Sequence, residues 1–155
     1  MKKKIAIIAA LLVVIVGVGI MFMSQGTEPE DIVKKVAISC EEQSTDSLVD
    51  VLSNNSLIQE EFGRYIEDDI KEINEELGIA PGSKLKVNYT IEEISDAPDR
   101  YENEIVTAAN YYSSDNFISE VIVADVVFST ETGEEVNFDI YIGFEDEEWK
   151  LLFVD

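Results

Sequence analysis

Residues 118–154 read ISEVIVADVVFSTETGEEVNFDIYIGFEDEEWKLLFV, and the spacing of their apolar positions decides the fold. Val136, Phe138, Ile140, Ile142 and Phe144 alternate with Asn137, Asp139, Tyr141 and Gly143, the period of two of a strand with unlike faces. Upstream, Ile118 to Phe128 is longer and more continuously apolar, which predicts a central strand. Thr130-Glu131-Thr132-Gly133 between them is turn chemistry, so the two strands form a hairpin. Glu145 to Glu148 supplies the next turn, and Trp149-Lys150-Leu151-Leu152-Phe153-Val154 closes a three-strand antiparallel meander.

Toward the N-terminus the period changes. Tyr101, Ile105, Ala108, Ala109 and Tyr112 make a narrow helical stripe, and Ser95 to Pro98 turns the chain before it. Leu85, Val87, Tyr89 and Ile91 alternate with Lys84, Lys86, Asn88 and Thr90, a half-buried strand. Ile58, Phe62, Ile66, Ile70, Ile73 and Leu77 step by three or four, predicting one long helix. Ser56 and Gln59 form its capping box, and Gly78 followed by Pro81-Gly82 stops it. A short helix carries Leu48, Val49, Val51 and Leu52. The first soluble helix carries Ile32, Val33, Val36, Ala37 and Cys40, with Thr27 and Glu30 as its capping box. Helices, strand, helix and meander together predict an α+β domain, its helices packed on one face of a curved antiparallel sheet of about four strands.

The chain has 155 residues, 33 acidic and 11 basic, with one Cys and no His. That length allows one ordinary domain. The acidity argues against nucleic acid as a partner, because binding it needs a basic footprint. The missing His removes most Ser-His and Cys-His nucleophile systems and all imidazole metal sites. Cys40 lies on an apolar helical stripe with no base to activate it, so it reads as a buried structural thiol.

Charge is unevenly spread. Lys2, Lys3 and Lys4 precede IAIIAALLVVIVGVGIMFM, the uncharged run from Ile5 to Met23, and the first acidic residue is Glu28. At about 1.5 Å per residue, this run makes roughly 28 Å of helix, enough for the core of a bilayer. A cleaved signal peptide is the competing reading, with a shorter apolar region expected for it. Residues 1–23 therefore read as a transmembrane anchor or signal segment, 24–26 as a linker, and 27–155 as the domain. The lysines place the N-terminus in the cytoplasm and the domain outside the membrane, tethered through residues 5–23, or secreted if the segment is cleaved. Removing Lys2, Lys3 and Lys4 from the 11 basic residues leaves 8 against 33 acidic ones, a net charge of −25 on the exported part.

The helical start after the anchor, the Asp99–Tyr112 helix running on to Ile118-Ser119-Glu120-Val121, and the ending Val136…Phe144, acidic turn, Trp149-Lys150-Leu151 resemble one group. These are the extracytoplasmic NTF2-like (cystatin-like) domains of membrane-anchored proteins of Gram-positive bacteria. The resemblance implies a cone-shaped sheet whose cavity, in the enzymes of that superfamily, holds a carboxylate base and tyrosine. Candidates for such a cavity here are Tyr89, Tyr101, Tyr112, Asp125 and Tyr141. Strand alternation turns Asp125 the same way as Val123 and Val127, away from such a cavity. With no second carboxylate placed beside it by spacing, no catalytic set is assigned. The acidic runs Asp96–Glu104 and Glu145–Glu148 do not match the EF-hand loop, so no metal and no cofactor is assigned either. The expected function is a membrane-anchored extracytoplasmic binding or assembly module without catalytic activity, with a protein partner outside the membrane. The alternative is a small-ligand-binding domain, or an isomerase or dehydratase, that uses the cone cavity.

Overall fold

Alternation along the meander divides its side chains between two faces, and each apolar set finds its own cover. The computed structural model describes residues 26–112 and 116–155. Its sheet has the order β1 (Val87–Asp96), β2 (Ile118–Thr130), β3 (Glu135–Glu145), β4 (Glu148–Val154), every neighbouring pair antiparallel. The domain is thus α+β with an open four-stranded sheet. Ile122, Ala124, Val126 and Phe128 of β2 point to the first face, with Phe138, Ile140 and Ile142 of β3 and Leu151 of β4. Helix α1 (Pro29–Glu42) covers this face with Ile32, Val33, Val36, Ala37 and Cys40. Val121, Val123 and Tyr141 point to the second face and pack with Ile58 of the short helix α2 (Ser56–Ile58). Val106 and Ala109 of α4 (Asp99–Tyr112) join them there.

Helices therefore lie on both faces, where the sequence predicts one. The reason is visible in the odd positions of β2 and β3. Near Val121, Val123 and Tyr141 they are apolar and need cover, whereas Asp125, Asn137 and Asp139 need none.

The predicted long helix is also interrupted. α2 runs into a π turn at Gln59–Gly63, and α3 (Ile66–Glu76) restarts after Arg64-Tyr65. Ile58 and Phe62 consequently serve the second face, while Ile66, Ile70, Ile73 and Leu77 serve the first. The caps shift by a residue as well. Asn55, not Ser56, caps α2, its Oδ1 accepting from the N–H groups of Leu57 and Ile58. Glu28 and Asp31 form the capping box of α1, with Pro29 first in the helix. Asp46–Leu48 is a single 3-10 turn. β1 starts at Val87 and continues through a bulge between Ile91 and Glu93.

The outer edge of β4 is closed by the loop before α2. Leu52 bridges Leu151, Leu151 N–H donates to Val51 O at 2.7 Å, and Ser53 N–H donates to Leu151 O at 2.9 Å. Among the described residues no strand pairs with the outer edge of β1. The predicted anchor, residues 1–23, lies outside the described residues. Among those described, no helix is long and apolar enough to cross a membrane.

Candidate functional site

Strand register brings together acidic residues that are far apart in sequence. Asp125 of β2 stands opposite Glu93 of β1 and opposite Asp139 of β3. Asp139 and Asp155 exchange both backbone hydrogen bonds, at 2.8 and 2.9 Å, which places Asp155 opposite it at the end of β4. Directly opposed residues share a face, so Glu93, Asp125, Asp139 and Asp155 form one row across all four strands of the second face. The row sits where the cover given by α2 and α4 runs out.

Adjacent strands are about 4.8 Å apart, and like charges directly opposite destabilise a sheet. Burial first, then the charges of Asp125 and Asp155, raise the Asp139 carboxyl above its ordinary range. Asp125 is half-buried, and its Oδ1 is shut off from solvent without a hydrogen-bond partner. No Lys or Arg among the described residues forms an ion pair with the four.

One end of the row opens on a groove of about 460 Å³ lined by Phe62, Tyr65, Asp69, Glu104, Phe153 and Asp155. Its floor is a stack of rings. Phe62 lies 4.4 Å from Phe153 at 20° between planes, and Phe153 lies 4.3 Å from Tyr141 at 14°. The Arg64 guanidinium sits 4.7 Å from the Tyr65 ring centre, so the groove's rim already shows a cation on an aromatic face. Burial, then Glu72, Asp68 and Asp155, push the Asp69 carboxyl up to about 6. Aromatic surface with converging carboxylates is the chemistry that receives a cationic group. It does not assemble a chelate: among the described residues, no three His, Cys, Asp or Glu side chains are placed to hold a metal ion.

The sequence candidates are distributed differently from a single cavity. Asp125 and Tyr141 share the second face, on neighbouring cross-strand pairs. Tyr89 lies on the first face, packed against the core beneath α1. Tyr101 and Tyr112 are carried by α4, which covers the second face, and their side chains lie outside the described residues. Asp125 has acidic neighbours on both sides, not a tyrosine. Cys40 is fully buried, and burial and then Glu41 push its thiol up to about 12. At that value the group is a packed thiol, not a nucleophile.

Asp139 lay one residue of register away from what the sequence gives. Counting outward equally from Thr130–Gly133 would set Phe138 against Asp125; the hairpin instead closes on Thr130 and Glu134 around the three residues Glu131–Gly133, and only that one-residue shift sets Asp139 there. Glu93 was further from reach, because β1 joins β2 through α4 and a bulge resets its register. Phe62 and Asp69 needed the break in the predicted long helix. Compared with known proteins, the chain matches no family model, no curated protein and no solved structure.

Proposed function

We propose that this chain is a membrane-anchored module whose acidic domain stands outside the cell membrane and binds a cationic segment of a protein partner, without catalysing a reaction. The observation that carries the reading is the row Glu93–Asp125–Asp139–Asp155 ending at the ring-floored groove. A row of opposed carboxylates costs stability, and a lysine- or arginine-bearing segment laid along it relieves the repulsion. Residues 5–23 support the tether, and the helix, strand, helix and meander order supports an NTF2-like domain. The cone-cavity alternative has less support, since Tyr89 faces away from Asp125 and Tyr141.

The test uses the full chain in nonionic detergent and a fluorescent peptide of alternating lysine and leucine. Asp125→Asn and Asp139→Asn, each close to isosteric, are expected to weaken binding about tenfold, near 1.4 kcal/mol. Glu131→Gln, in the exposed β2–β3 turn, is expected to leave it unchanged. Equal weakening in all three variants would mean net charge alone attracts the peptide, and the reading would fall. Mass spectrometry of the protein extracted from membranes tests the tether: Lys2 to Lys4 should be retained, and a new N-terminus near Thr27 refutes the anchor.

A further inference from the structure

The chain enters the domain at one end of the sheet. A Cβ placed on Gly26 would lie 3.6 Å from Glu147 O, so the first described residue rests on the β3–β4 turn. β2 begins at the same end. Ile118 pairs with Glu145, which sets Phe117, one residue earlier, beside that turn at about one strand spacing, 4.8 Å. The last turn of α4 is fastened there too. Asn110 Nδ2 donates to Ile118 O at 2.7 Å, and its Oδ1 accepts from Ile118 N–H at 2.9 Å. Tyr111 follows it.

Phe117 and Tyr111 are 60% and 79% exposed, the two most exposed aromatic side chains among the described residues. A single apolar side chain on a surface needs no special cause. These two stand together at the end of the domain from which the apolar run departs. Only Ser24, Gln25 and Gly26 separate that end from Met23.

Three residues reach at most about 11 Å. The run has no length to spare, since its 19 residues make roughly 28 Å of helix against about 30 Å of hydrocarbon. A spanning run therefore brings Met23 to the hydrocarbon edge. The headgroup layer then fills roughly 5–7 Å of the remaining reach, which presses the β3–β4 end of the sheet onto the bilayer.

We propose that this end of the domain lies on the lipid surface, with the Phe117 and Tyr111 rings in the headgroup layer. This rests on the tether proposed for residues 5–23. Aromatic rings favour that layer, and a tyrosine can bury its apolar body there while its hydroxyl stays wet. Lys150 pairs with Glu148 at 2.7 Å, which leaves the exposed Asp146 and Glu147 to repel an anionic surface. The lipid that fits this end is zwitterionic. Asp125 is seven residues along β2 from Ile118, up to about 23 Å farther out, so the acidic row is held clear of the headgroups.

The test labels the full chain with an environment-sensitive fluorophore at Phe117→Cys, Tyr111→Cys or Glu131→Cys. Each is reconstituted in phosphatidylcholine vesicles carrying a nitroxide on the headgroup. Cys40 is fully buried, its thiol pushed up to about 12, and stays unlabelled. Glu131 is exposed in the β2–β3 turn, at the opposite end of the sheet. The labels at Phe117→Cys and Tyr111→Cys are expected to be quenched several-fold more than that at Glu131→Cys, and less so when anionic lipid is added. Equal quenching at Phe117→Cys and Glu131→Cys, in chain that floats with the vesicles, overturns the proposal and leaves the tether standing. A chain that does not float overturns both. Quenching that rises with anionic lipid overturns the zwitterionic contact. An emission shift at Phe117→Cys that follows protein density and ignores the nitroxide assigns the patch to a second copy and also overturns it. Should Phe117→Cys fail to fold by circular dichroism, Tyr111→Cys decides by the same comparison.

Discussion

Glu145 is fully buried at the end of β3, and two groups from the loop before α2 make that tolerable. Ser53 Oγ donates to its Oε2, and Asn54 N–H donates to its Oε1 at 2.9 Å. Ser53 Oγ in turn accepts from Asn55 N–H at 3.1 Å, next to the cap of α2. Glu145→Ala strands these donors and is expected to cost about 3 kcal/mol in denaturant unfolding, whereas loss of a surface carboxylate is within about 0.5 kcal/mol. In sequence this residue reads as the first of four turn acids. Its burial is decided by a partner 92 residues away, which no local pattern reports. Gly143 is the second residue whose role is set by distant contacts. A Cβ there would meet Leu152 Cδ2 at 2.9 Å and Ile118 Cγ2 at 3.2 Å. Gly143→Ala is expected to destabilise by about 1–3 kcal/mol through overpacking. A change below about 0.5 kcal/mol would show that Leu152 simply rotates aside.

Among the elements, the β3–β4 hairpin carries a local cost. Asp146 and Glu147 occupy its two turn positions at φ 49° and 69°, a left-handed pair that favours Asn and Gly. Glu147→Gly is therefore expected to raise stability by about 0.5–1 kcal/mol, read as a higher denaturant midpoint at unchanged slope. The turn itself was legible from its acidic break between two apolar runs; its handedness follows from the two-residue loop and strand twist. The stripe Ile58–Leu77 shows the limit of such reading. Its helical spacing is real, and the sequence locates every apolar residue on it. What spacing cannot say is that the sheet offers two apolar faces, so that the chain must turn at Gln59–Gly63 to divide the stripe between them. The meander was legible because each strand's alternation and each turn are local. The both-sided cover was not, because it depends on where α4 docks.

At the scale of the whole molecule, acidity makes stability depend on pH in a definite direction. Burial and its acidic neighbours push the Asp69 carboxyl up to about 6 in the folded domain against an ordinary 3.8, so the folded form binds the proton more tightly between those values. Its contribution is fully present below 3.8 and is lost as pH rises through 6. Asp139, raised by burial and its acidic neighbours, acts in the same sense. Asp50 is the opposite case, since a hydrogen bond from Lys35 lowers it, but its exposure to solvent makes that pair weigh little. Thermal unfolding should accordingly give a higher Tm at pH 5 than at pH 7. Asp69→Asn should raise the Tm at pH 7 by roughly 2–4 °C, allowing for solvent screening, and flatten the profile. A Tm that falls between pH 7 and pH 5 would contradict the repulsion read from the acidic row and its groove.

The closure of β4 by Val51 to Ser53 has a consequence for assembly. A sheet open at both margins can recruit a copy on each side and grow without limit, the route to fibres. Here one margin is occupied at Leu151 by the chain's own loop, so among the described residues the sheet has a valence of one. Growth by strand addition ends at a pair, and even that pair must bring two copies of the Glu92-Glu93 and Asp96 margin together. A domain built this way is thereby kept from polymerising through its own sheet.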